Sequence, residues 1–357
     1  MIKMNPNNMN IDNNQFNNNM YNNTYNNNMT NNMNNNIQKD AKKNNKFVIV
    51  GILLVLIIVG VILFFVFNKK DKEIVEPTPV NIDYTVDSVE RDPNWKPVDV
   101  VNDCTLEKRK CRLDECYVKE QYAYYPIEGG LRAELYELGE SRKATSKLCT
   151  HVNGVPVISM EGMFSESGVI EVDLSSFNTS NIVNMSNMFS LCTELTSLDV
   201  TGFDTSKVTN MSEMLADSTK IKSLDLRYFD TSKVTDMSRM FSADLDKLYG
   251  WNKIENIYGL NYFNTSNVTD MNRMFENCYD LNNIDVSKFD TSKVTDMNGM
   301  FYGCGNVKML DLRNFDTSNV EDMSKIFSNC TNLKTIIASK DKWTLGDKID
   351  DKTIILK

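Results

Sequence analysis

The chain has 357 residues, a formal net charge of −9 and a single histidine. That length admits two or three ordinary domains. The acidic balance excludes the basic stripe on which nucleic-acid binding rests, and one imidazole leaves little for a histidine-based catalytic or metal centre.

Residues 1–46 contain 21 Asn. Apart from scattered Met the segment has few apolar side chains, too few to offset chain entropy, so a disordered tail is expected. Residues 47–67, "FVIVGILLVLIIVGVILFFVF", form an uncharged apolar run of 21 residues. As a helix rising about 1.5 Å per residue it would cross the roughly 30 Å hydrocarbon core of a lipid bilayer. No small-residue cleavage site follows, so an uncleaved signal-anchor is expected. Lys39, Lys42, Lys43 and Lys46 precede the run and Lys69, Lys70 and Lys72 follow it, a thin positive-inside bias. Residues 1–72 carry eight Lys and three Asp, which leaves −14 for residues 73–357. An acidic, Cys-bearing region after the run fits a single-pass protein of the cell membrane with a cytoplasmic N-terminus and an extracellular C-terminal region.

Residues 68–82 hold "EPTPV" and read as a short stalk. Residues 83–151 read as a β-rich N-terminal cap. Within them "CYVKEQYAYYPIEGGLRAELYEL" alternates, turns at Gly129-Gly130 and alternates again, the pattern of a hairpin. Cys104, Cys111, Cys116 and Cys149 lie here; an even number in an exported domain suggests one or two disulfides. Of the three complete pairings that four Cys allow, one containing Cys116–Cys149 is preferred.

From residue 152 to 338 the chain repeats itself. "FDTSKVTDM" stands at Phe229–Met237 and again at Phe289–Met297. The Phe of this motif recurs at Phe177, Phe203, Phe229, Phe263, Phe289 and Phe315, in steps of 26 residues except one of 34. A β-branched residue follows five later and a Met eight later in every copy, from Ile182 and Met185 to Val320 and Met323. Each copy opens on an alternating stretch such as "LTSLDV" or "IKSLDL", which is strand periodicity. It then places Met and Phe at helical spacing, with Asp236 as the expected N-cap of a single helical turn. One such unit buries too little to fold alone, so the copies are expected to stack. Cys192, Cys278, Cys304 and Cys330 sit at one repeat position and read as small semi-buried rungs. Residues 339–357 read as a C-terminal cap, with Trp343 over the last strand.

"LxxLDLxxFDTSxVTDMSxMFxxC" resembles the repeat of the BspA-like leucine-rich-repeat surface proteins, of the mycoplasma-lipoprotein type. The likeness spans residues 152–338 as one leading partial copy, "VNGVPVISMEGMF", and six full ones. It implies an α/β leucine-rich-repeat-type solenoid with a parallel strand ladder on a concave face, displayed at the surface for adhesion or recognition. Many relatives carry a lipid anchor or wall-sorting signal, and neither is expected here.

Catalysis is not expected: no phosphate-binding loop, dinucleotide turn or HExxH is present, and the carboxylates recur at repeat spacing. The candidate binding surface is the strand face, with an extracellular protein or glycan as its ligand. In "LDL" the apolar pair points inward, so Asp173, Asp199, Asp225, Asp285 and Asp311 should form an outward row with rungs about 4.8 Å apart. Ser197, Ser223 and Asn283 run along one flank, and Arg227 and Arg313 stand on the other. Such a row needs pairing with Arg or neutralisation by a cation such as calcium. The 34-residue step inserts "DKLYGWNKIENIYGL", whose Tyr249, Trp251 and Tyr258 either belong to a binding loop or, in the case of Trp251, fill a gap left by a lost "LDL" rung.

Overall fold

A computed structural model describes residues 90–112, 114–243 and 252–343, and the backbone of Thr353–Leu356. The Asn-rich tail, the apolar run at 47–67, the stalk, Tyr249 and Trp251 lie outside the described residues. Among the described residues no helix is long and apolar enough to cross a membrane.

The alternating Tyr- and Ala-rich stretch forms the centre of the N-terminal sheet. Strands β1 (Asp103–Cys104), β2 (Arg109–Lys110), β3 (Glu115–Lys119), β4 (Tyr122–Ile127) and β5 (Gly130–Leu135) come first. After β6 (Lys143–Ala144), β7 (His151–Val152) and β8 (Val155–Ser159) complete a seven-stranded sheet ordered β1-β7-β8-β5-β4-β3-β2. The hairpin expected around Gly129-Gly130 is the antiparallel β4–β5 pair, closed by Ile127 opposite Gly130. Gly129 has φ +81°, a conformation glycine adopts without strain. Two disulfides, Cys104–Cys149 and Cys111–Cys116, staple this region. They replace the preferred Cys116–Cys149 pairing, because the β2–β3 turn brings Cys111 beside Cys116 while β1 and β7 run in parallel register beside Cys149.

The sheet continues into the repeats through the end of β8. Ser159 at the end of β8 bridges in parallel to Asn184, and the bridges continue through Asn210, Asp236, Asp270, Asp296 and Asp322. All six of these are the residue seven after the repeat Phe, so each copy lies in register on the next. The core is one continuous column. The repeat Phe, the β-branched residue and both Met positions are buried in nearly every copy, with Val320 and Met323 of the last copy only partly covered. Phe241, Phe275, Phe301 and Phe327 stack in sequence at centroid distances of 5.4, 5.8 and 5.9 Å, and Trp343 closes the column on Phe327 at 6.4 Å.

The expected helical turn after "VTDM" does not form, and the fold class is mostly β and not α/β. The one helical piece among the described residues is a 3-10 turn at Leu260–Tyr262. In each full copy the residue ten after the Phe has positive φ: Asn187, Glu213, Arg239, Arg273, Gly299 and Lys325. A second positive-φ position follows four later in most copies, as at Asp217 and Gly303. Left-handed residues placed among right-handed ones straighten the chain, so alternate amides point sideways to the neighbour instead of back along a helix. Thus Met185, Asn187, Phe189 and Leu191 donate to the carbonyls of Asn210, Ser212, Met214 and Ala216 at 2.8–3.0 Å. The intervening amides of Met188, Ser190 and Cys192 close three-residue turns.

The "LDL" stretches form a less regular ladder than expected. Parallel pairing joins β6 to β9 (Glu171–Val172), β10 (Ser223–Asp225) to β11 (Asn256–Tyr258), and β12 (Met309–Leu312) to β13 (Thr335–Ala338) and β14 (Thr353–Leu356). Leu195–Val200 and Leu281–Val286 form no strand. The stacking is already fixed on the "VTDM" side, which leaves these rungs free to separate.

Candidate functional site

The candidate face is built from the "LDL" stretches and the two residues after each. The apolar pair of the motif is buried, apart from the half-buried Val172, and the Asp between them is turned outward except in the last copy, where Asp311 is buried against the expected outward row. Asp173 and Asp199 are exposed, Asp225 and Asp285 half-buried, and Asp311 buried. Ser197 and Ser223 are exposed beside them, and Asn283 is half-buried.

Each Asp of the row first serves its own backbone. Asp173, Asp199, Asp225, Asp285 and Asp311 accept a hydrogen bond from the amide two residues on, at 3.0–3.2 Å. This Asx-turn bends the chain toward the repeat Phe. Hydrogen bonds from Ser175 hold Asp173 below the usual carboxylate range. Arg227 and Arg313 lie back on the row as forks. Arg227 Nη2 donates to Asp225 Oδ2 at 2.6 Å, and Arg313 Nη2 to Asp311 Oδ2 at 2.6 Å. Partial burial alone would raise the Asp225 pKa, but the hydrogen bonds from Arg227 outweigh it and lower it. The Arg227 guanidinium is correspondingly held above its ordinary value, chiefly by its hydrogen bond to Asp225.

The row is not continuous. The insertion does not lose its rung, because Asn256–Tyr258 pairs with Ser223–Asp225 and sets Tyr258 opposite Asp225. Repeat spacing puts Gly259 at that place, and the register differs by one residue. Gly259, at φ +96°, lies so close to the preceding copy that a Cβ would meet the Arg227 amide at 2.5 Å. The 3-10 turn that follows absorbs the extra residue. The sequence shows Tyr258 as an aromatic of the insertion but not its place opposite Asp225; the signal was a Gly where every other copy has Asp, next to the alternating "NIY".

Across the second to fourth copies the face opens into a cleft of about 490 Å³, lined by Asp199, Thr201, Ser223, Asp225, Arg227 and Tyr258 among others. It brings together five residues of the Asp face, Asp199, Ser223, Asp225, Arg227 and the insertion's Tyr258, but not Asp173, Asp285, Asp311, Ser197, Asn283 or Arg313. Among the described residues no three His, Cys, Asp or Glu side chains converge as a metal ion would require. His151, the lone imidazole, contacts Thr150 Oγ1 through Nδ1 at 3.1 Å in β7, away from this face.

The four repeat cysteines are fully buried, beyond the semi-buried place expected of them. Cys192, Cys278, Cys304 and Cys330 donate to the carbonyls of Phe164, Phe241, Phe275 and Phe301, each at the preceding copy. Ser218 makes the same bond to Phe189 at 2.5 Å. Burial pushes the Cys192 thiol up to about 12 and those of Cys278 and Cys304 up as well.

No curated protein and no solved structure is significantly similar to the chain. The model of one protein family matches it twice in overlapping spans, residues 158–252 and 243–353, which together cover more than half of the sequence. Both spans fall on the stacked copies described above, so the chain belongs to the family described as Mycoplasma protein of unknown function, DUF285.

Proposed function

We propose that the chain is a single-pass membrane protein of the cell surface. In this reading its repeats form a leucine-rich-repeat-type solenoid that binds an extracellular protein or glycan through the "LDL" face. The observation that carries it is a division of labour within each copy. The recurring Phe, Thr, Val and Met side chains are consumed by stacking, whereas the cleft joins the recurring Asp199 and Asp225 to residues that change from copy to copy, Arg227 and Tyr258. A rigid frame that varies only its exposed positions suits recognition. The apolar run at residues 47–67 would supply the bilayer anchor, with the N-terminal tail cytoplasmic.

Two measurements test this. Protease applied to intact cells should cleave the repeat region from outside; full protection would end the surface assignment. The full chain in detergent, screened against extracellular-matrix proteins and glycans, should yield a ligand whose binding weakens at least tenfold on Asp199→Asn with Asp225→Asn. Binding indifferent to both would remove this face from the proposal.

The Asx-turns favour a second reading, in which the Asp row only shapes a passive envelope rod. In that case the same substitutions, which keep the turn acceptor as an amide oxygen, would leave cell adhesion unchanged, and shortening the apolar run would not.

A further inference from the structure

The segment before the N-terminal sheet lies across the repeats. Glu90–Val98 forms no strand, yet it meets the fourth, third and second copies in turn, running against the order of the chain. The Arg91 guanidinium sits 4.4 Å over the Tyr262 ring, donates through Nε to the Arg227 carbonyl and through Nη2 to the Phe229 carbonyl at 3.4 Å. Arg227 Nη1 returns a bond to the Glu90 carbonyl at 2.7 Å. The Asp92 amide donates to the Tyr228 hydroxyl at 3.0 Å. Trp95 stacks on the Tyr228 ring, 4.6 Å between centroids and 6° from parallel, and its indole N–H donates to the Thr201 carbonyl at 2.8 Å. The Val98 amide donates to the Gly202 carbonyl at 2.9 Å.

All these seats occupy the repeat Phe or the two residues before it, and the copies differ there. Immediately before the Phe stand Ser176, Gly202, Tyr228, Tyr262, Lys288 and Asn314. The two tyrosines and the glycine fall on the three consecutive copies that the segment crosses. At Gly202 a Cβ would stand 2.9 Å from Val98 Cγ2, so this copy has room for the segment only because it lacks a side chain. The strip therefore has aromatic platforms, backbone acceptors and clearance in matching order, which is what an extended peptide requires. Meanwhile Glu90–Asn94 and Lys96 remain exposed, and only Trp95, Pro97 and Val98 are half-buried. An occupant held by two side-chain anchors and a few exposed hydrogen bonds is exchangeable. Being attached, it competes at an effective concentration of order millimolar.

We propose that copies two to four carry a peptide-recognition strip which the chain fills with its own Glu90–Val98. Its external partner is a protein presenting an extended segment of the same chemistry: an arginine and, four residues later, a tryptophan. Such a partner displaces the chain's own segment. Because Arg227 serves both the strip and the cleft, displacement also frees one edge of the cleft. The strip adjoins the Asp face at Thr201 and Arg227, but the proposal does not rest on the function proposed for that face.

The probe is a dye-labelled synthetic peptide of residues 90–100, titrated by fluorescence anisotropy against the full chain in detergent. Arg91→Ala with Trp95→Ala, which loosens the resident segment, should bind it at least tenfold more tightly than the wild type. Adding Tyr228→Ala or Gly202→Val should abolish that binding, and a peptide lacking the Arg and Trp should not bind. Trp95→Ala alone serves if the double variant melts early. Equal binding by wild type and loosened variants, or binding that survives both strip substitutions, overturns the proposal. Neither outcome bears on the Asp199 and Asp225 variants, so the two proposals fail separately.

Discussion

Thr265 holds Asp290 of the next copy by both ends of its backbone. The buried hydroxyl donates to the Asp290 carbonyl at 2.9 Å and accepts from the Asp290 amide at 2.8 Å. The same double bond joins Thr179 to Asp204, Thr205 to Asp230, Thr231 to Asn264 and Thr291 to Asp316. This is the reason the motif reads Thr at that place: a hydroxyl must clip each copy to its neighbour where no strand ladder does so.

Thr265→Val keeps the shape and removes the clip. It strands an amide and a carbonyl in the interior, which costs about 1–3 kcal/mol. Thermal melting followed by circular dichroism should show a clear fall in Tm, whereas Thr265→Ser should recover most of it. Ser266 one residue on, bonded only to Asn264 within its own turn, should tolerate Ala with a much smaller change. Equal losses at the two positions would contradict the clip.

The two positive-φ positions of the fifth copy separate conformation from space. Gly299 has φ +58° and a Cβ there would meet only ordinary contacts, Arg273 Cγ at 3.5 Å and Tyr302 Cβ at 3.6 Å; other copies hold Asn, Glu, Arg or Lys there. Gly303 has φ +71°, and a Cβ would stand 2.3 Å from Asn277 Oδ1. Gly299→Asn should therefore shift Tm little, because Asn accepts the left-handed region readily. Gly303→Ala meets both strain and collision and should lower stability by about 1–3 kcal/mol. Chemical denaturation of the two variants side by side checks the difference.

How much of this was legible in the sequence follows from which forces leave a pattern. The stacking, the buried Phe, Val and Met columns and the β4–β5 hairpin were visible, because burial and alternation are periodic. The helical turn was misread: Met and Phe at spacings of three and four mark one side of an α-helix, but they equally mark a chain that alternates handedness. Gly299 and Gly303, four apart and aligned with Asn187 and Asn329, were the available sign. Of the candidate site, the Asp row was visible as a row, but its use in Asx-turns was not, since that depends on the bend after each strand. The place of Tyr258 opposite Asp225 was hidden by a one-residue shift. The Arg91 and Trp95 seats involve contacts more than a hundred residues apart and leave no local trace.

The column of residues at the bridge position carries its own charge effect. Burial pushes the Asp270 carboxyl above the ordinary range, and Asp236 and Asp296 on either side add to it. A folded-state pKa above the unfolded one means that the ionised form costs stability at neutral pH, and the cost disappears as the pH falls below the unfolded value of about 3.9. Asp270→Asn keeps an oxygen for the Asn272 amide, as Asn184 and Asn210 do for Ser186 and Ser212 in their copies. It should raise Tm at pH 7, with the gain shrinking as the pH falls through the raised folded value and gone below about pH 4. Asp290 and Asp316 are lowered by hydrogen bonds from Ser292 and Ser318, so their contributions have the opposite sign. They stabilise above the unfolded value and are lost as the pH drops through the lower folded one. Asp290→Asn should bring no gain at pH 7.

The buried thiols give a last test of the stack. Cys304 Sγ donates to the Phe275 carbonyl at 3.2 Å, and its thiol lies well above the ordinary range because burial disfavours the thiolate. Since the thiolate is the reactive form, Cys192, Cys278, Cys304 and Cys330 should resist a thiol reagent at pH 8 while the protein is folded. All four should react once denaturant is added, without reduction of the two disulfides. Cys304→Ser places a hydroxyl where Ser218 already bonds its carbonyl in another copy, and should shift Tm little. Cys304→Ala leaves the Phe275 carbonyl without this donor and opens a small void, a loss of about 1–2 kcal/mol. Rapid labelling of the native protein at Cys304 would mean that adjoining copies separate in solution.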